Sequence, residues 1–92
     1  MIRSFKHKGL EHIFIKGSAK GIQPNHAKRL RLILGRLHAS TQPQDMNLPG
    51  LRLHELVGKR AGTCSVWVSG NWRVTFRFTG EHAEAVNYED YH

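Results

Sequence analysis

The hydrophobic period changes once along this chain, and that change constrains the fold more than any other feature. Before residue 40 the apolar side chains recur at helical spacing. After residue 50 they alternate, as they do along strands. A chain written this way has helices first and a sheet second, and the two must share one core.

Within the first half, Ile2 to Phe5 reads as a short strand. Lys6 to Lys16 reads as a helix, with Leu10, Ile13 and Phe14 on one face and Gly17 as its stop. Pro24 suits the start of a second helix, where a missing N–H does no harm. From there Ala27, Leu30, Ile33, Leu34 and Leu37 form one apolar stripe. Lys28, Arg29, Arg31 and Arg36 fall largely outside the stripe, which predicts a cationic outer helix surface. Ala39 to Gly50 carries turn formers and no period, so a loop is expected.

In the second half, Leu51 to Leu56 alternates, with Arg52 and His54 sharing one face. Gly58-Lys59-Arg60-Ala61-Gly62 is a basic loop bounded by glycines. Thr63 to Ser69 and Trp72 to Thr79 are strands joined by the tight turn Ser69-Gly70-Asn71. Trp72, Val74, Phe76 and Phe78 face the core, and Arg73, Thr75 and Arg77 face away. Ala83 to Tyr88 is the last strand, and the sequence closes on Asn87-Tyr88-Glu89-Asp90-Tyr91-His92. The expected architecture is α+β. An N-terminal strand and two helices pack on a mostly antiparallel sheet of about five strands, and residues 1–92 form one domain.

Charge narrows the partner. The chain has 92 residues and a net charge of +7. Arg3, Lys6, Lys8, Lys16, Lys20, Lys28, Arg29, Arg31 and Arg36 precede residue 40, against Glu11 alone. Solvated helix faces often carry such charges, but so few interleaved acids favour an anionic partner, nucleic acid first. With one cysteine, Cys64, no internal disulfide or thiolate cluster can form. No signal peptide or spanning segment is visible, so the cytosol is the expected compartment.

The seven histidines have none of the spacings of a zinc site, and no Gly-rich phosphate loop is present, so no metal or cofactor is expected. Metal-independent RNA cleavage remains. There the RNA's own 2′-OH attacks the adjacent phosphate, with help from a base, an acid and cations. His54, His92, Tyr91, Asp90 and Arg73 are of the right types. Types alone do not make a site, because a single strand histidine is more often structural.

Three stretches carry a resemblance: Met1-Ile2-Arg3-Ser4-Phe5-Lys6-His7-Lys8-Gly9-Leu10, Leu53-His54 with Asn71-Trp72-Arg73-Val74-Thr75-Phe76, and the closing Asn87 to His92. Over essentially its whole length the chain resembles the HigB branch of the RelE-like bacterial toxins, the toxin halves of type II toxin–antitoxin pairs. The combination of Asn-Trp-Arg on a hairpin with a terminal Asp-Tyr-His is specific to that group.

The resemblance implies a compact microbial-RNase-like fold and ribosome-dependent cleavage of mRNA in the A site, beside the 16S rRNA. It also implies neutralisation by a helix-turn-helix antitoxin, HigA. The toxin alone would be a monomer, and with its antitoxin a hetero-oligomer. By the same resemblance His54, Asp90, Tyr91 and His92 surround the scissile phosphate, Arg73 clamps it and Asn71 contacts the RNA. His92 is favoured as the base, with Asp90 tuning it and His54 assisting.

Two departures stand out. The basic residue that often precedes Asn-Trp-Arg in this group is missing from Val66-Trp67-Val68-Ser69-Gly70. Leu56-Val57 stands where Leu-Lys is common. Lys59 or Arg60 would have to supply the cation. Arg77, Arg29 and Arg31 complete the expected RNA contacts. An alternative is a non-catalytic module that binds the ribosome or RNA through the basic helix. A transcriptional or scaffold protein that meets only the antitoxin has the least support, since no base-reading helix stands out.

Overall fold

In a computed structural model, which describes residues 1–90, two helices lie on one face of a four-stranded sheet. Helix α1 spans Lys8–Lys16 and α2 spans Ala27–Ala39. The strands are β1 (His54–Glu55), β2 (Cys64–Ser69), β3 (Trp72–Thr79) and β4 (His82–Asp90). They run as an antiparallel meander in chain order.

Each helix forms for reasons visible in its ends. His7 caps α1, its Nδ1 accepting the Leu10 N–H at 3.3 Å. Burial lowers the pKa of His7, which keeps the imidazole in the neutral form that the cap needs. Gly17 ends α1 at φ 74°, a conformation open to glycine at little cost, and its N–H reaches the Ile13 carbonyl. Arg31 then donates to the Gly17 carbonyl at 3.2 Å and ties α2 to the end of α1. The stripe Ala27, Leu30, Ile33, Leu34 and Leu37 is buried, as its spacing predicts, and a 3-10 turn at Pro24–His26 leads into the helix.

The core lies between this stripe, Leu10 and Ile13 of α1, and the inner sheet face of Val66, Val68, Val74, Phe76, Val86 and Tyr88. The expected first strand is present as an edge rather than a regular strand. Ile2 and Phe5 make parallel bridges to Ala83 and Val86 of β4. Backbone bonds from Arg3 to Ala83 and from Lys6 to Val86, at 2.7 and 2.8 Å, cover that edge.

Three expectations need correction. Leu51 to Leu56 is not a continuous strand: only His54 and Glu55 pair with β2. Arg52 adopts φ 51°, and its guanidinium lies 4.4 Å from the Trp67 ring centroid. Leu51 and Leu56 are buried while Glu55 is exposed, so the six residues do not alternate. The loop from Ala39 to Gly50 is not without structure either. Asp45 accepts from the Thr41 N–H and hydroxyl and closes a 3-10 turn at Pro43–Met46, which buries Met46 completely. Finally, β4 extends past Tyr88 to Asp90.

A bulge in β4 sets which side chains face outward. The register shifts between Thr75 and Arg77, and Ala85 takes φ 56°. Its N–H is satisfied by the Ser4 hydroxyl at 2.9 Å. Without the extra residue Ala83 and Val86, three apart, would face opposite sides. With it both are fully buried.

A polar sheet face as the candidate active site

The sheet face away from the helices is polar, and register decides what stands on it. His54, Ser65, Thr75 and Asn87 form one row across all four strands. Trp67, Arg73 and Glu89 form the next. Arg77 lies two residues further along β3 from Thr75 and is exposed.

Two hollows open on this face. One, of about 400 Å³, is lined by Arg52, Leu53, His54, Leu56, Ser65 and Arg73. It brings together the histidine and arginine that the sequence singles out from separate strands. Arg73 is half-buried, and its Nη1 donates to the Gly70 and Trp72 carbonyls at 3.4 and 3.3 Å. Those long bonds steady the side chain and leave further guanidinium donors for an anion.

The second hollow, of about 260 Å³, lies against β3 and β4 and includes Lys6, Lys59, Arg60, Arg77 and Glu89 in its lining. In its lining is a clamped carboxylate, Glu89, that sequence reasoning missed. Arg60 grips Glu89 with two bonds, at 2.9 and 2.6 Å. The Thr75 hydroxyl donates to it at 2.6 Å and the Asn87 amide at 3.4 Å. Three of these donors meet Oε2 and one, from Arg60, meets Oε1. The Arg60 bonds, then those from Thr75 and Asn87, hold the Glu89 pKa below its ordinary 4.5 against desolvation. Glu89 is therefore a carboxylate favoured in its charged form, and it orients Arg60.

This has a consequence for acid stability. A lowered carboxylate pKa means that the unfolded chain binds more protons between the lowered value and 4.5. The contribution is present above pH 4.5 and is lost as pH falls through the folded value. The pair is half-exposed, at 43% and 22% side-chain exposure. We expect it to contribute about 1 kcal/mol once screened by solvent. Glu89→Gln should be less stable than the parent at pH 7. It should also lose less stability on acidification, as read by urea midpoints. Parallel curves at all pH values would contradict the clamp.

The remaining sequence-predicted residues divide. Asp90 pairs with Trp72 and so shares the face of Tyr88, while Glu89 occupies the position beside Arg73. Asp90 is exposed at the end of the sheet. Burial raises the Tyr88 pKa, and the Asp90 charge adds to that rise. Tyr91 and His92 lie outside the described residues. Asn71 is exposed on the hairpin turn, beyond the lining of either hollow.

Arg29 and Arg31 line neither of the two hollows. Arg29 donates to the Gly50 and Trp67 carbonyls at 2.8 and 3.3 Å and lies 5.2 Å from the Trp67 ring centroid, and Arg31 bonds Gly17. The expected cationic helix surface is in these two places a set of packing bonds. The alternation of Tyr88 and Glu89 was the one available signal for the clamp, since a buried tyrosine turns its neighbour outward.

Beneath the last strand is an aromatic plinth. Trp72 stacks on Tyr88 with centroids 4.5 Å apart, and the buried His26 Nδ1 meets the Tyr88 hydroxyl at 2.5 Å. His7 meets the Tyr88 ring edge-on at 5.4 Å. These contacts fix the strand that carries Glu89 and Asp90. No helix among the described residues is long and apolar enough to cross a membrane.

An α+β frame has its helices on one sheet face and arginine, histidine and carboxylate groups on the other, in a small protein of net charge +7. The sequence matches, over residues 3–92, the model of the HigB-like toxins, described as the RelE-like toxin of the type II toxin–antitoxin system HigB. The chain belongs to that family. It is 41% identical over 92 residues, the full length of both chains, to a protein of Proteus vulgaris named Endoribonuclease HigB.

Proposed function

We propose that this protein is an endoribonuclease that cleaves mRNA on the ribosome, in the A site beside the 16S rRNA, and so halts translation in the cytosol. One observation carries the reading: His54 and Arg73 line the same hollow on a polar sheet face. The full-length relative named an endoribonuclease supports the reaction class. In this reading the whole chain acts as one toxin domain. It is monomeric when free, and a helix-turn-helix antitoxin, HigA, holds it in a hetero-oligomer.

The reaction requires no metal. A base takes the proton of the RNA 2′-OH, and the oxygen attacks the neighbouring phosphorus as the P–O5′ bond breaks. An acid protonates the departing 5′ oxygen, leaving a 2′,3′-cyclic phosphate and a 5′-hydroxyl. His92 is the base, tuned by Asp90. His54 and Tyr91 complete the proton transfers, and Arg73 neutralises the charge that grows on the phosphoryl oxygens. Asn71, Lys59, Arg60 and Arg77 hold the flanking RNA. Arg29 and Arg31 have less to offer it, because both already donate to carbonyls. The same bonds weigh against a non-catalytic module that works through the basic helix.

Primer extension on message from cells expressing the protein tests this. His92→Ala and His54→Ala should each reduce cleavage by roughly 10²–10⁴-fold, the usual worth of a positioned acid or base. Cleavage by both variants at the parental level would refute the assignment.

A further inference from the structure

The hollow lined by Lys6, Lys59, Arg60 and Arg77 is separate from the one lined by His54 and Arg73, and its chemistry differs. Among the described residues its lining contains no histidine. Four cations share its lining with one carboxylate, Glu89, which already accepts four bonds from Arg60, Thr75 and Asn87. Such a carboxylate is engaged with its own protein donors and holds Arg60 in place. The lining therefore presents an excess of cations to whatever enters, at a size suited to one phosphate group with its water.

Its four cations come from three parts of the chain. Lys6 is on the edge segment hydrogen-bonded to β4, Lys59 and Arg60 are on the basic loop, and Arg77 is on β3. Surface lysines on one element would need no explanation, but four cations converging on one concavity from the edge, the loop and the sheet do. Like charges placed together cost stability unless an anion offsets them. Glu89 does so for Arg60, and no ion pair to Lys6, Lys59 or Arg77 is seen among the described residues.

We propose that this hollow is a second phosphate subsite, which holds a backbone phosphate of the RNA strand at a fixed distance from the one being cleaved. The proposal rests on reading the polar face as an RNA site. Arg73 and Arg77 are four residues apart on β3, about 14 Å at strand rise. That is further than adjacent phosphates can span, so the second subsite takes a phosphate beyond the scissile one's immediate neighbours. Glu89 is a positioning residue in this scheme: its two bonds to Arg60 hold that guanidinium in the lining of the second hollow. Substrate length follows as a determinant of affinity. A strand too short to reach the second hollow gives up one anchoring point.

The test uses uncleavable 2′-deoxy oligonucleotides, a dinucleotide with one phosphodiester and a pentanucleotide with four, bound to the full-length protein at low ionic strength. The parent should bind the pentanucleotide at least tenfold more tightly. Arg77→Ala and, independently, Lys6→Ala should each remove most of that advantage while leaving the dinucleotide's affinity as it was. For the pentanucleotide alone, the slope of log affinity against log salt should become shallower by about 0.7, the value of one phosphate contact on a single strand.

Equal loss for both lengths would overturn the subsite, since it would report damage to the fold or to the first hollow. Unchanged binding in both variants would overturn it as well. In either case cleavage of ribosome-bound message by the parent would leave the nuclease reading standing. A parent that binds neither oligonucleotide would overturn the subsite too, and the nuclease reading would again be decided by cleavage of ribosome-bound message.

Discussion

Arg73→Ala should cut the rate of message cleavage by roughly 10²–10³-fold, about 3–4 kcal/mol of transition-state stabilisation. The expectation comes from its place. Arg73 stands on the polar face, lines the hollow that contains His54, and is steadied by the Gly70 and Trp72 carbonyls. Charge that develops on phosphoryl oxygens needs a donor already aimed when the reaction begins. A lysine cannot reproduce the planar two-pronged contact, so Arg73→Lys should recover only part of the loss. The two bonds given up are long and half-exposed, so the melting temperature should shift by no more than a few degrees. Single-turnover cleavage of ribosome-bound message, alongside thermal melts, separates the two effects. A variant that folds and cuts at the parental rate would remove Arg73 from the site.

The second large effect is on stability. Tyr88→Ala should destabilise the protein by about 3–5 kcal/mol, as loss of a buried aromatic does. Tyr88 is 6% exposed, stacks on Trp72 and meets His26 through its hydroxyl. Removing the ring opens a cavity under the strand that presents Glu89 and Asp90. Activity should then fall even below the melting temperature. Tyr88→Phe isolates the polar part: it leaves the buried His26 nitrogen without its partner and should cost about 1–3 kcal/mol. Chemical denaturation of the three proteins checks both figures. A loss under 1 kcal/mol for the alanine variant would mean that the aromatic plinth does not support the strand.

These two residues also mark how far hydrophobic period alone can reach. Arg73 is legible in the sequence because alternation from Trp72 to Thr79 is regular as far as Phe76, so Arg73 and the core residues separate cleanly. The α2 stripe is legible for the same reason, one period held over a whole helix. Tyr88's neighbours are not. The bulge at Ala85 shifts the register of β4, and its one added residue reverses the phase of the alternation, so the step from Ala83 to Val86 does not read as one continuous strand period. The resemblance puts Asp90 beside the scissile phosphate, whereas in the sheet Glu89 holds the position beside Arg73 and Asp90 shares the face of Tyr88.

Charge partners are hidden for a different reason. Arg29 reads as a free surface cation until the carbonyls of Gly50 and Trp67, far off in sequence, are seen beside it. Arg60 and Glu89 are 29 residues apart, and only the folded loop brings them together. The type of a residue states what it can bond, whereas topology decides what is near enough.

The central claim is that this polar face cleaves RNA by attack of the substrate's own 2′-OH. The ends of the product RNA report on that directly. Message cut on ribosomes by the purified protein should carry a 2′,3′-cyclic phosphate upstream of the break and a 5′-hydroxyl downstream, and replacing the attacking nucleotide with its 2′-deoxy form should abolish the cut. A 3′-hydroxyl paired with a 5′-phosphate, or undiminished cutting at the deoxy position, would contradict it.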